Sequence, residues 1–198
     1  MRTHLEYEIG GSAQGDINFQ SFLEIIRGIP LIPGLLHPHA ALAIPLIGRI
    51  TGRLDDADLA RQVAEVVVSS PHASSELAGI ARAGLALLET LEGHISEVRK
   101  HYEELKIWQG ATVHFVALSG DRLLGILAQE IGETGQAEVH FEDALVFCRK
   151  AGYRPELAWT CGDYADLLQE RDENRDKEKP SPCWTSPWLS PASWACGR

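Results

Sequence analysis

A large residue followed by a small one recurs along this chain at almost constant intervals. The pairs are Ile47-Gly48, Leu85-Ala86, Leu124-Gly125 and Cys161-Gly162, separated by steps of 38, 39 and 37 residues. A second set of apolar positions keeps the same pace: Ala60, Ala64, Val67, then Val98, Tyr102, Leu105, then Ala137, Phe141, Ala144, at steps of 38 and 39. Recurrence at this spacing is the mark of an array built from one supersecondary unit, in which no unit buries its apolar face alone.

The unit is a pair of helices. Apolar residues fall at helical spacing over about 38 to 51, 55 to 69, 73 to 92, 95 to 107, 119 to 132, 136 to 151 and 155 to 170, with an earlier half-unit over Phe19 to Arg27. Breaks fall at Gly52, Ser70-Pro71, Gly93, Gly110, Gly135 and Gly152, several at the glycine-after-helix position. Asp55 and Pro71 suit helix starts. No stretch alternates with period two. The expectation is an all-α chain of antiparallel helix pairs, stacked as a tetratricopeptide-like α-solenoid; the alternative is an irregular helical bundle. The domain reading is a lead-in with a partial helix over 1–37, repeats over 38–172, and a charged linker and irregular tail over 173–198.

Within the third unit, Gly125, Ala137, Phe141 and Ala144 stand at intervals of 12, 4 and 3 residues, which is the spacing of the tetratricopeptide signature. Two helices can approach closely only where their side chains are small, and an aromatic of the second helix then fills the gap. Gly125 and Ala137 leave room that Phe141 occupies. By the same register Gly48, Ala60, Ala86, Tyr102, Ala144 and Gly162 are structural repeat positions.

Charge and motif content narrow the function. The formal net charge of −10 opposes binding to phosphate backbones and anionic lipids, so no nucleic-acid partner is expected. No apolar run reaches the roughly 20 residues that span a bilayer, and the first residues lack a signal-peptide layout. The expectation is a cytoplasmic protein with no membrane partner. Cys148, Cys161, Cys183 and Cys196 form no C-x-x-C pair and read as free thiols. His37 and His39 flank Pro38 without acidic or thiol neighbours to complete a metal set, and read as exposed loop residues. His94 and His101, with Glu97 and Glu104, read as a solvated, salt-bridged face, and His140 as exposed beside Phe141. No nucleophile elbow occurs. Catalytic residues, cofactor and metal are all expected to be none, and the chain is not expected to be an enzyme.

The segment from 119 to 172, with DRLLG, HFEDAL, FCRKAGYRPELAWTC and DYADLL, resembles the C-terminal helical-repeat region of large bacterial regulators. Those regulators place an ATP-binding domain before tetratricopeptide-like repeats and are linked to class III adenylate or guanylate cyclases or to LuxR-type activators. The resemblance extends more weakly back to about Ala40. It implies a regulatory or recruiting role, with the chemistry in domains whose cyclase carboxylates and G-x-x-x-x-G-K-[ST] loop do not occur here. The leading expectation is a non-catalytic protein–protein interaction module, a truncated fragment of a larger bacterial signalling regulator. The alternatives are the C-terminal piece of a nucleotide cyclase or ATPase encoded elsewhere, and a nonfunctional gene remnant. Such arrays present the first helix of each unit on their concave side, so Arg122, Gln129, Glu130, Trp159, Asp163 and Asp166 are candidate contacts for a protein or peptide.

After Lys179 the composition changes: PSPCWTSPWLSPASWACGR is rich in proline, tryptophan and cysteine where the repeat requires a second helix. One back-translation of these residues, with a single G added after the Lys179 codon, reads KAIALLDESLAIASELGMR, an amphipathic helix. The tail therefore reads as out of frame; the alternative is a genuine Trp/Pro-rich binding tail. An uncovered last repeat would leave Trp159, Tyr164 and Leu167 partly exposed and open to self-association.

Overall fold

The apolar stripes wind into helices almost where their periodicity places them. The computed structural model describes residues 11–32, 34–113 and 118–171. Its helices are α1 (Ser12–Gly28), α2 (Leu36–Thr51), α3 (Ala57–Val68), α4 (Ser75–Glu92), α5 (Ile95–Leu105), α6 (Gly120–Glu130), α7 (Thr134–Ala151) and α8 (Arg154–Glu170). A short 3-10 turn, Lys106–Trp108, follows α5. Between it and α6 lies a two-residue antiparallel pair, β1 (Thr112–Val113) with β2 (Leu118–Ser119). The fold is all-α apart from this small ladder, which the search for period-two alternation passed over because two residues cannot display a period.

Helices touch in a sequential pattern. Each packs on its successor, and α2, α4, α6 and α8 also form a row in which each touches the next. Two apolar cores result. One gathers α1, α2, α3 and one side of α4 around Leu23, Ile47, Val63 and Leu88. The other runs from α4 to α8 around Leu87, Tyr102, Leu123, Phe141 and Leu167. Because α4 contributes to both, the array is continuous from α1 to α8.

The repeat positions lie in these cores. Ala60, Ala64, Val67, Val98, Tyr102, Leu105, Ala137, Phe141 and Ala144 are all buried. A Cβ built on Gly125 would stand 2.7 Å from the Phe141 ring, so the glycine and the aromatic do share one interior. Gly48 is crowded differently: its added Cβ would meet the Arg53 carbonyl and Leu54, in the turn after its own helix.

A close approach between α2 and α4 comes from residues outside the repeat register. A Cβ on Gly84 would fall 2.2 Å from the carbonyl oxygen of Ala41. Pro45 stands four residues after Ala41 within α2, and having no N–H it cannot donate to that carbonyl. The bare Gly84 backbone of α4 fits against the peptide group so released.

Several local expectations change. Residues 12–16 belong to α1, whose Phe19, Leu23 and Ile26 are buried, because these apolar residues meet α2 and its neighbours. Gly135 lies inside the first turn of α7; the left-handed turn before it is made by Gly132, with φ 81°. The cap of α4 is Ser74, whose hydroxyl accepts from the Leu77 amide at 3.2 Å, and α3 starts after Asp56. His37 is buried in the first turn of α2, and neither ring nitrogen has a partner among the described residues. His39 sits half-buried in the same turn with Nδ1 2.6 Å from the Leu35 carbonyl. His101 and His140 are buried as well. His140 Nε2 lies 3.1 Å from the Tyr102 hydroxyl, a partner on the preceding unit that the sequence alone does not reveal. Tyr164 and Leu167 are buried against α7 and its core, and only Trp159 of that trio is half-buried. Cys148 is a buried free thiol, pushed up to about 11 by its desolvation, whereas Cys161 is disulfide-bonded, which corrects the free-thiol reading for that residue. The expected tail over 173–198 lies outside the described residues.

Packing against a backbone cannot relax as packing against a flexible side chain can. Gly84→Ala is therefore expected to lower the unfolding free energy by about 3 kcal/mol in denaturant titration. Gly162→Ala, in α8 with open space around its Cα, is expected to raise it by up to about 1 kcal/mol through helix propensity.

Candidate partner-binding cleft

The row formed by α2, α4, α6 and α8 has one polar surface. On it lie two adjoining clefts that share Arg49, Asp163 and Asp166 in their lining. The larger, about 380 Å³, is lined also by Ile126, Gln129, Glu130, Gln169 and Glu170. The smaller, about 170 Å³, is completed by Leu46, Ile50, Arg122 and Trp159. All six residues expected on the concave side, Arg122, Gln129, Glu130, Trp159, Asp163 and Asp166, thus line this one region.

Their roles differ. Arg122 is buried, and its Nε donates to Asp163 Oδ2 at 2.6 Å while Nη1 donates to Glu156 Oε2 at 2.9 Å. The other Glu156 oxygen accepts from the Ser119 amide at 2.7 Å. Burial works against the Arg122 charge, but Glu156 and Asp163 outweigh it and hold the guanidinium more firmly protonated than usual. Burial likewise pushes the Glu156 carboxyl upward, and Arg122 and the Ser119 amide only partly offset this. The Trp159 ring lies 5.7 Å from the Arg122 guanidinium carbon, within cation–π range. Arg122 and Asp163 therefore form the floor of the cleft, their charges committed to the protein itself.

Arg49 completes the floor from the far end of the chain: its Nη2 donates to Asp163 Oδ1 at 2.9 Å. These two residues follow Gly48 and Gly162 directly, so they are equivalent positions of the first and fourth units. Ile126, which follows Gly125, lines the cleft from the unit between. Sequence reasoning missed Arg49, Glu156 and Glu170. The register that selects Asp163 selects Arg49 equally, whereas Glu156 is legible only once Arg122 is seen to be buried.

What remains facing outward is acidic. Glu130 and Asp166 make no hydrogen bond among the described residues, and Glu170 accepts from Gln129 Nε2 at 2.9 Å. Desolvation first, then repulsion from Asp163 and Glu170, push the Asp166 carboxyl above the usual range against the pull of Arg49. A carboxylate held in that state is relieved by an approaching cation.

Comparison with protein families, curated proteins and solved structures finds no match.

A second charged cluster joins α3 to α4. Glu89, Glu92 and His94 bring their ligand atoms within 4.8 Å of one another, but Arg61 pairs with both carboxylates, and His94 Nδ1 lies 2.6 Å from Glu89 Oε2. Burial raises the Glu89 carboxyl, and the hydrogen bonds from Arg61 and His94 more than reverse this. The cluster is an internally balanced clamp. His94 thus belongs with this clamp, and His101, buried beside Glu104 at 3.6 Å, does not share its face. Among the described residues no helix is long and apolar enough to cross a membrane.

Removing Arg122 would strand the buried Glu156 carboxylate and leave Asp163 with Arg49 alone. Arg122→Ala is expected to cost about 3–5 kcal/mol at neutral pH. The Glu156 carboxyl, already raised by burial, loses the downward pull of Arg122 and rises further, so the deficit shrinks as pH falls. Denaturant titrations of both proteins at about pH 8 and about pH 5 check this, the gap being smaller in acid.

Proposed function

We propose that this chain is a non-catalytic protein–protein interaction module of tetratricopeptide-like type, serving a bacterial signalling regulator, and that its acidic cleft holds a basic peptide or helix. The observation that carries the reading is the convergence of three first-helix surfaces, those of α2, α6 and α8, on one cleft, with Glu130, Asp166 and Glu170 facing a space that Arg49 alone lines with positive charge in its larger part. The sequential packing of α2 to α8 and the contact between Gly125 and Phe141 support the solenoid reading. The sequence resemblance supports the regulatory context.

The physical logic is that of a preformed groove. The Arg49–Asp163–Arg122–Glu156 network, buried except at half-buried Arg49, fixes the floor, so little side-chain entropy is lost when a ligand arrives. Half-buried Trp159 offers an apolar surface at one end. Lys or Arg side chains of a partner would meet an Asp166 carboxylate already destabilised by desolvation and acidic neighbours, which favours cationic over anionic segments.

A Lys/Arg-rich amphipathic peptide is expected to bind the full chain, and its Glu-substituted counterpart is not, in fluorescence titration read on a peptide label. The Glu130→Gln/Asp166→Asn pair is expected to weaken binding about tenfold, a shift of roughly 1.4 kcal/mol, without altering thermal unfolding much. Binding to the parent chain is expected to fall as pH drops through the raised Asp166 range, because protons compete with the cation. Equal affinity for both peptides would sink the reading.

A further inference from the structure

Asp163 and Asp166 stand about one turn apart on the same side of α8, and only the first has its cations. Asp163 accepts one guanidinium on each oxygen, Arg49 on Oδ1 at 2.9 Å and Arg122 on Oδ2 at 2.6 Å. Asp166 lines the same two clefts and accepts no hydrogen bond among the described residues. Glu170, a further turn along, fills one oxygen with the Gln129 amide. The carboxylates of α8 thus run from a site saturated by arginine to one that has none.

The opposite wall is the end of α6. Gln129 directs its Nε2 to Glu170 at 2.9 Å, which ties the two helix ends together and leaves the amide carbonyl as an acceptor. Glu130 and Gln169 line the same space and make no hydrogen bond among the described residues. Acceptors are thus offered from both α6 and α8 across a cleft of about 380 Å³. Arg49 is the one cation in its lining, and Asp163 holds it.

We infer that this cleft seats an arginine side chain of the bound peptide beside Asp166 and discriminates against lysine. The inference rests on the peptide-binding reading above and names the side chain that the peptide brings. Two physical differences separate the cations. A guanidinium carries five N–H donors in a rigid plane and can meet acceptors on both walls at once, whereas an ammonium directs three donors from one point. It is also the more weakly hydrated of the two. That matters where burial, ahead of Asp163 and Glu170, already holds the Asp166 carboxyl above its usual range. Asp163 supplies the precedent in the same lining, since both of its oxygens take guanidinium N–H groups.

The test titrates the full chain with labelled peptides of one sequence that carry arginine, lysine or symmetrically dimethylated arginine at every basic position, read by fluorescence anisotropy. Dimethylation keeps the charge and blocks the paired hydrogen bonds, so attraction and fork geometry separate. The arginine peptide is expected to bind about tenfold tighter than the lysine peptide, and the dimethylated one to fall to the lysine level. In the Gln129→Met/Gln169→Met chain, whose charge is unchanged, the ratio of arginine to lysine affinity is expected to fall towards one. A lysine peptide that binds as well as the arginine one, or better, overturns the inference and leaves the acidic cleft standing. So does a dimethylated peptide that matches the arginine one, or a ratio that survives the glutamine pair. Binding by none of the three removes the peptide-binding reading and the inference with it.

Discussion

Close approach of helix backbones is the constraint from which the rest of this structure follows. Helices separated by large side chains leave gaps that water cannot fill favourably, and close packing then demands bulk from one helix where the other has none. Here Gly84 lies against the Ala41 peptide, Gly125 against the Phe141 ring, and Gly120 against the Trp108 carbonyl. Each contact sets a distance between two helices. The clefts, the buried ion network and the shared α4 wall depend on those distances being kept along the row.

Proline and glycine act together at the first of these points. Pro45 is unfavourable inside a helix because it withholds a donor from Ala41. That deficit becomes useful where a neighbouring backbone needs to approach, since a carbonyl turned from its own ladder can accept close contact. A substitution at either position would disturb the same junction, although the two are 39 residues apart.

Much of the helix plan was legible because periodicity survives in sequence. The stripe over Ala137, Phe141 and Ala144 has one meaning, and the matching positions two units back are buried as well. The small ladder of β1 and β2 was not legible, since two residues a side leave no pattern. The histidines were misjudged for a different reason. Their burial depends on what an adjacent unit presents, as with Tyr102 opposite His140, and polarity alone argues for the surface. In the cleft, Asp163 was found by register and Glu156 was missed, because a carboxylate serving a buried arginine has the same letter as one facing water. Arg49 was within reach of the register argument, but pairing it with Asp163 required knowing that α2 and α8 meet at the cleft.

The pairing of α2 with α8 has a mechanical consequence. Stacked arrays ordinarily transmit disturbance only from one unit to the next, and their stability is close to a sum over neighbours. The link between Arg49 and Asp163 spans 114 residues of sequence and works as a clasp across the array. Loosening of α2 therefore bears directly on α8, which a chain of neighbour contacts alone would leave remote from it.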